Sequence, residues 1–444
     1  MHKFISSYLA IFFLFTFFLP MKAYTSDVSQ GTKKSALKLT LPSLMIQVIK
    51  NHEEIKNFQS QVEQANAQYS QSRGLYYPTV DFVADGGREK IDKEFNADTT
   101  ENRYNITLRA SQLITDFGKT TNTIARSGLF LEQAKARLES TRQQLMLEGT
   151  KAYINIVRAR ERLKSARQSE ARIKELTGIE QTLVEKGAGL SSDVLQAKSQ
   201  LAGAMALRVE AQGELNIAKN RFQAIFYYDL TNKEIEKFKD IEFPYKKLPL
   251  VLEDAIDIAK KKNPELLITM YNTQIAQKDI DIAKTAFYPQ LNLFAEALRK
   301  DNDAGIKGYS NEASAGVEFR YNLFRGGGDR AALKSSLASR EAASYHTGYV
   351  QKIINEQVRN SWEQLSILKQ RADLLDQQAD IVKNFLSLAK KERTMGTRSL
   401  LDVLNGEINY INAIATSIAA RQDTKIAAYN LFFAMGNITL QLFE

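Results

Sequence analysis

Residues Lys119–Lys186 run for 68 positions without a proline, and no other feature limits the possible folds as strongly. As a helix this run would be about 100 Å long, at ~1.5 Å per residue. It carries a strict seven-residue series: Leu131, Leu138, Leu145, Ala152, Ala159, Ala166 and Ile173. A sustained heptad holds one seam against another helix and supercoils the pair. The alanines in the row predict close backbone approach. A second run, Asp329–Lys391, carries Val358, Leu365, Ala372, Ala379 and Leu386 in one row. Its other row is Ile354, Ser361, Leu368, Leu375, Val382 and Ala389. A single compact core of this length is implausible, and the expectation is a rod.

The two runs belong to an internal repeat. Asn51-His52-Glu53 matches Asn263-Pro264-Glu265 at an offset of 212, and Tyr77-Pro78 matches Tyr288-Pro289 at 211. The segment Leu113–Gly118 matches Leu323–Gly328 at 210, and Asp193-Val194-Leu195 matches Asp402-Val403-Leu404 at 209. Each copy reads helix, strand, strand, long helix, tight turn, helix. The first helices are expected over 43–75 and 252–287, stopping before Pro78 and Pro289. The returning helices, about Ser192–Phe226 and Leu400–Met435, are half the length of the descending ones. Two of them end to end, one from each copy, would match one long helix. The divisions that follow are a leader at 1–23, repeats at 37–230 and 251–436, a mid-height linker at 231–250 and a tail at 437–444.

Strands sit between the helices. Over 104–111 every even position is apolar and every odd one polar, and 313–323 alternates likewise. Val80, Phe82 and Ala84 form a weaker partner, as do Leu291, Leu293, Ala295 and Ala297. Period two marks strands with one apolar and one polar face. Such strands suit either a membrane barrel, lipid outside and water inside, or a soluble sheet with one buried face. The polar stretches 86–102 and 299–311 are the expected tips. Four strands cannot close a barrel, since ~8 are needed, so their edges must pair with other copies. Two copies would supply eight strands and three would supply twelve.

His2 and Lys3 precede an apolar run from Tyr8 to Leu19, followed by Pro20 and Ala23. This is the layout of a secretory leader, and the run is too short for a membrane helix, which needs ~20 residues. The rival is an uncleaved anchor. No later run reaches membrane-helix length. The chain has no cysteine, which excludes disulfides, thiol nucleophiles and a cysteine-linked lipid. Its net charge of +9 becomes +7 without Lys3 and Lys22, and it is spread over mixed-sign helices rather than a basic block. That pattern argues against nucleic acid. His2, His52 and His346 are scattered, so no metal site is expected, and no nucleophile–base set appears. Gly326-Gly327-Gly328 lacks the Lys-Ser/Thr ending of a phosphate loop. No enzyme and no cofactor is expected.

Two turns close the long helices. Gly396-Thr397-Arg398-Ser399-Leu400-Leu401-Asp402-Val403-Leu404-Asn405 has a degenerate twin in Gly187-Ala188-Gly189-Leu190-Ser191-Ser192-Asp193-Val194-Leu195-Gln196. Gly187 and Gly396 read as helix stops. Ser399 with Asp402 reads as a capping box, and Asp402 and Asp193 each place an acid in a helix first turn. Ser192 belongs to the first of these turns.

With these features placed, the chain resembles the TolC family of outer-membrane exit ducts over essentially its whole mature length. The resemblance rests on the Tyr-Pro pairs, the junction 321–330 and above all the turn at 396–405. It implies an α+β membrane protein: a homotrimer with a twelve-stranded outer-membrane β-barrel, four strands per chain, continued by an α-helical coiled-coil barrel through the periplasm. By position, Asp193, Arg398 and Asp402 would latch a closed entrance. Asn405 replaces a possible second acid there, and Arg393 replaces an aromatic. Leu190, Leu400 and Leu401 are candidate contacts for a periplasmic adaptor or, equally, helix-seam packing. The implied partners are that adaptor, an inner-membrane ABC transporter or proton-driven pump, and outer-membrane lipid. The junction favours type I protein secretion, small-molecule efflux is the alternative, and a periplasmic coiled-coil adaptor is a third reading.

Overall fold

The computed structural model describes residues 39–443 apart from 93, 95–97, 189, 243 and 244. The expected leader at 1–23 lies outside the described residues. The first helical stretch is two helices, α1 (Leu41–Asn51) and α2 (Glu53–Gly74). Its counterpart is likewise α6 (Leu252–Lys262) and α7 (Pro264–Lys284). This corrects the single helices expected at 43–75 and 252–287. His52 and Asn263 sit in extended backbone at the breaks, and each side chain caps the following helix. Pro264 has no N–H and forces the residue before it out of the helical region.

The long helices are α3 (Lys119–Glu185) and α8 (Gly328–Thr394), 67 residues each. The returning helices are α4 (Ser191–Phe226) and α9 (Leu400–Ala434), 36 and 35 residues. Every residue of the Leu131–Ile173 heptad row is buried in α3. In α8 the matching row is buried at Val358, Ala372, Ala379 and Leu386, with Leu365 partly so. Burying a leucine- or isoleucine-sized side chain is worth roughly 1.5–3 kcal/mol, so the rows are the main cohesive element of the rod.

The C-terminal half of α3 is lined by α4 and α9, and its N-terminal half by α2 and α7. Thr177 donates to the Ala197 carbonyl at 3.3 Å and Arg172 meets Glu407 in the lower half. Tyr76 pairs with Thr121 at 2.8 Å and Arg126 with Asp279 at 2.6 Å in the upper. The short helices do stack end to end, but within one copy rather than between copies. Tyr227, just past α4, bonds Glu53 at the start of α2 (3.2 Å) and lies over His52. Asn263, capping α7, donates to the Ala434 carbonyl of α9 at 2.9 Å.

These two joints end their helices differently. Gly436 takes the left-handed backbone, and a β-carbon there would lie 2.4 Å from the Asn263 Cα. The first copy has Tyr227 at the matching place, itself left-handed at φ 51°. Gly436→Ala therefore combines an unfavourable φ with a backbone collision. It is expected to cost roughly 3 kcal/mol or more, read as a fall in Tm of the detergent-extracted protein. Gly396→Ala, where nothing lies within 4 Å, pays only the conformational term and should shift Tm much less.

The segment between the copies contains a single-turn helix, α5 (Asn232–Ile235). Arg160 of α3 donates to the carbonyls of Ile235 and Phe238, Tyr153 to that of Lys239, and Asp240 pairs with Lys425 of α9 at 2.6 Å. These contacts fasten the segment across the middle of α3.

The four strands, β1 (Thr79–Ile91), β2 (Thr99–Thr115), β3 (Gln290–Asp301) and β4 (Tyr309–Arg320), form one antiparallel sheet in the order β1-β2-β3-β4. The tips expected at 86–102 and 299–311 are strand at both margins, because the β1–β2 ladder continues to Ile91 opposite Thr99 and the β3–β4 ladder to Asp301 opposite Tyr309. Pairing overrides their polarity. β4 ends at Arg320, short of the expected 323.

Candidate functional site: the helical tips and the membrane face

The register assembles one apolar face across all four strands. Phe82 faces Leu108, Leu108 faces Ala297 and Ala297 faces Ala313; Leu293 faces Val317 and Leu291 faces Phe319. The other face carries Arg109 within 3.5 Å of Glu296, and Arg103 within 2.6 Å of Asp85. The apolar face has no cover among the described residues: Val80, Phe82 and Phe319 are 66%, 64% and 64% exposed. Such a patch marks a lipid or protein contact. Tyr104 and Tyr309 stand at one end of the sheet and Tyr77, Tyr288 and Tyr321 at the other. From 309 to 321 is roughly 40 Å of strand, about 30 Å of height at a barrel tilt near 40°. That matches the hydrocarbon thickness of a bilayer, ~30 Å, with aromatic residues at both margins.

At the opposite end, both long helices stop with the same hydrogen bonds. Ala188 N–H reaches the Leu183 carbonyl (2.8 Å) and Gly187 N–H that of Val184 (2.9 Å). Thr397 reaches Glu392 and Gly396 reaches Arg393, both at 3.0 Å. This pattern needs a left-handed residue before the exit, and Gly187 and Gly396 supply it at φ 75° and 78°. Ser399 caps α9 by accepting from the Asp402 N–H at 3.1 Å. It is a one-way cap, since no return bond from the Asp402 carboxylate is formed. Helix α4 starts at Ser191 with Leu190 at its cap position, so Ser192 lies inside the helix and bonds Asp193 at 3.4 Å.

The tip holds ion pairs that the motifs do not announce. Arg393 reaches Glu180 at 3.2 Å, and that carboxylate is 4% exposed. The fully buried Glu407 of α9 is held between Arg172 of α3 (2.8 Å) and Lys390 of α8. Gln200 of α4 donates to Asn405 of α9 at 3.4 Å. These contacts tie the α3–α4 hairpin to the α8–α9 hairpin. Arg398, in contrast, pairs with Glu392 of its own hairpin at 2.6 Å and lies 5.3 Å over the Phe385 ring. Asp193 and Asp402 are not brought together with Arg398, and Asp402 is exposed.

Of the three apolar contact candidates, Leu400 is corrected. It is 4% exposed and packs with Ile173, Ala197, Ala204 and Leu404, so it serves the seam. Leu190 is 65% exposed and Leu401 partly so.

The sequence reading missed Glu180, Glu407, Arg172 and Lys390. A signal was available: Glu180 is one heptad beyond Ile173, and Arg393 one beyond Leu386. Two seams that each end on a charge of opposite sign foretell a pair.

A bilayer-high sheet with one lipid-compatible face, continued by two long hairpins, defines an outer-membrane channel protein whose membrane part is strand rather than helix. Among the described residues no helix is long and apolar enough to cross a membrane. The chain belongs to the outer membrane efflux protein family, whose model matches residues 44–226 and again 255–437. It is 22% identical to the outer membrane efflux protein BepC of Brucella suis biovar 1, covering 92% of this chain and 88% of that protein. It is 23% identical to the alkaline protease secretion protein AprF of Pseudomonas aeruginosa, over 83% and 76% of the two chains. Its fold matches the outer-membrane channel OprN with a TM-score of 0.79 at 19% identity, covering 90% of each chain. The Campylobacter jejuni CmeC channel matches with a TM-score of 0.78 at 18% identity, over 94% and 90%. OprN and CmeC are outer-membrane channels, and the family to which the chain belongs is one of outer-membrane channel proteins rather than enzymes.

Proposed function

We propose that three copies of this chain close a twelve-stranded barrel in the outer membrane, and that their hairpins form a helical tube through the periplasm. The observation that carries this reading is the sheet: apolar and uncovered on one face, with β1 and β4 each offering an unpaired edge. The helices support it. Ile367, Leu374, Ile381 and Leu388 form an uncovered heptad stripe on α8, 58–68% exposed. Leu195, Met205, Val209 and Ile217 are likewise uncovered on α4, so both flanks of the chain await a neighbour. The twice-matching family model supports repeats at 37–230 and 251–436, joined by a linker at 231–250 and followed by a tail at 437–444.

The tube is a passive duct. A periplasmic adaptor docks near Leu190 and Leu401 at the tips, and an inner-membrane transporter supplies the energy. Arg393, Arg398, Asp193, Asp402 and Asn405 lie at the entrance, with the Arg393–Glu180 and Arg172–Glu407 pairs as closing contacts. We read the cargo as protein, exported with an ABC transporter; the 322–330 junction and the similarity to AprF support this. Small-molecule efflux with a proton-driven pump is the second reading, supported by the similarity to BepC. Fractionation tests the duct: the protein should partition with outer membrane and run, unheated, as an oligomer about three times the chain mass. Recovery as a soluble periplasmic species would contradict it.

A further inference from the structure

At mid-height a groove of about 710 Å³ opens between α3, α8 and α9. Lys151, Gln357, Asn360, Gln364, Arg371 and Asn430 line it. Its side of the wall follows from helix geometry, in which two residues advance about 200° round the axis. Tyr153 and Arg160, two beyond Lys151 and Arg158, hold the 235–239 segment. Lys369, two before Arg371, lies over Tyr245 of the same stretch at 5.7 Å. The added layer 227–249 therefore covers one side of the wall, and the groove opens on the other. In a tube, a layer of this bulk belongs outside, which puts the groove on the lumen.

The charges on that inner side are mostly matched. Arg158 is bound to Asp423, Arg162 to Glu214 and to Glu210 at 3.2 Å, and Arg221 to Glu148 at 2.8 Å. Lys151 and Arg371 form no ion pair among the described residues. Burial pulls the Lys151 ammonium below its usual range, and Glu148 only partly offsets this. A half-buried ammonium and a guanidinium thus stand without an ion pair in a groove whose one carboxylate, Asp423, is already held by Arg158, and whose other polar lining is Ser361 and the amides. That set of donors suits an anion.

We propose that Lys151 and Arg371 form a cationic belt on the lumen wall that draws small anions, such as chloride, phosphate and carboxylates, into the duct at mid-height. The proposal rests on the duct reading above, since three chains place six such charges around one lumen. Rings of fixed charge select ions by sign, and low-dielectric walls focus the field.

Reversal potentials in planar bilayers under a KCl gradient test it. The Lys151→Gln, Arg371→Gln double variant should lower the chloride-to-potassium permeability ratio by about twofold or more. The Lys151→Arg, Arg371→Lys pair should keep the wild-type ratio. Independently, pyrophosphate added to the wild-type channel should reduce its current. An unchanged ratio in a variant that still conducts, or a wild-type current indifferent to pyrophosphate, overturns the belt while leaving the duct standing. Absence of any wild-type conductance overturns both.

Discussion

Replacing Arg172 and Arg393 together by alanine is expected to shift the closed-to-open ratio of the assembled protein roughly tenfold toward open, read as a rise in single-channel conductance. The two arginines are the α3 and α8 ends of the contacts that join the hairpins, and each faces a carboxylate that is almost wholly buried. Breaking a fully buried pair costs about 3–5 kcal/mol, because a charge is left without a partner. Here each arginine keeps about a third of its side chain in solvent, so screening cuts that figure to ~1 kcal/mol apiece. A bias near 1.4 kcal/mol is already tenfold in a closed-to-open ratio. Arg398→Ser should give a smaller rise, since Arg398 binds Glu392 within its own hairpin. A double variant with wild-type conductance would remove these pairs from the gate. Adding Glu180→Gln should recover thermal stability by removing the one stranded charge, since Glu407 keeps Lys390 as a partner, without restoring closure.

The membrane face yields the other large effect. Leu108→Arg and Val317→Arg each put a cation on the uncovered apolar face, and a lipid-facing arginine near the bilayer centre costs ~2–4 kcal/mol. The double variant is expected to lose the heat-modifiable oligomer from the outer-membrane fraction. Ser314→Arg lies on the opposite face, directly across from Glu296 in the ladder, and should leave assembly intact. Equal loss from both would mean that the two faces are not distinguished by lipid.

The sequence disclosed the parts of this fold that rest on long periodicity. All seven positions of the α3 heptad row are buried, because a seam repeated over many turns leaves no other solution. The alternating strands were legible for the same reason, though not their ends: Gly86–Lys90 are polar yet remain strand through their pairing with β2. Asn51-His52-Glu53 and Asn263-Pro264-Glu265 mark the repeat by their identity, but the helix break and side-chain cap at each depend on backbone geometry that the residue types alone do not specify. At the tips, turn chemistry was legible in Gly187, Gly396 and Ser399, since these act on their own neighbours. The partner of Arg393 was not, because Glu180 lies on a different hairpin, and only the three-dimensional seam brings them together. Arg398 illustrates the converse, as the acid it binds, Glu392, is only six residues away on its own hairpin.

The claim beneath all of this is that copies of the chain enclose one continuous water-filled path. Single-channel recording from the purified, detergent-extracted oligomer in planar bilayers tests it most directly. The account predicts discrete, small, uniform steps for the wild type, and larger ones for the Arg172→Ala, Arg393→Ala protein. An oligomer that inserts without conducting in either form would contradict it.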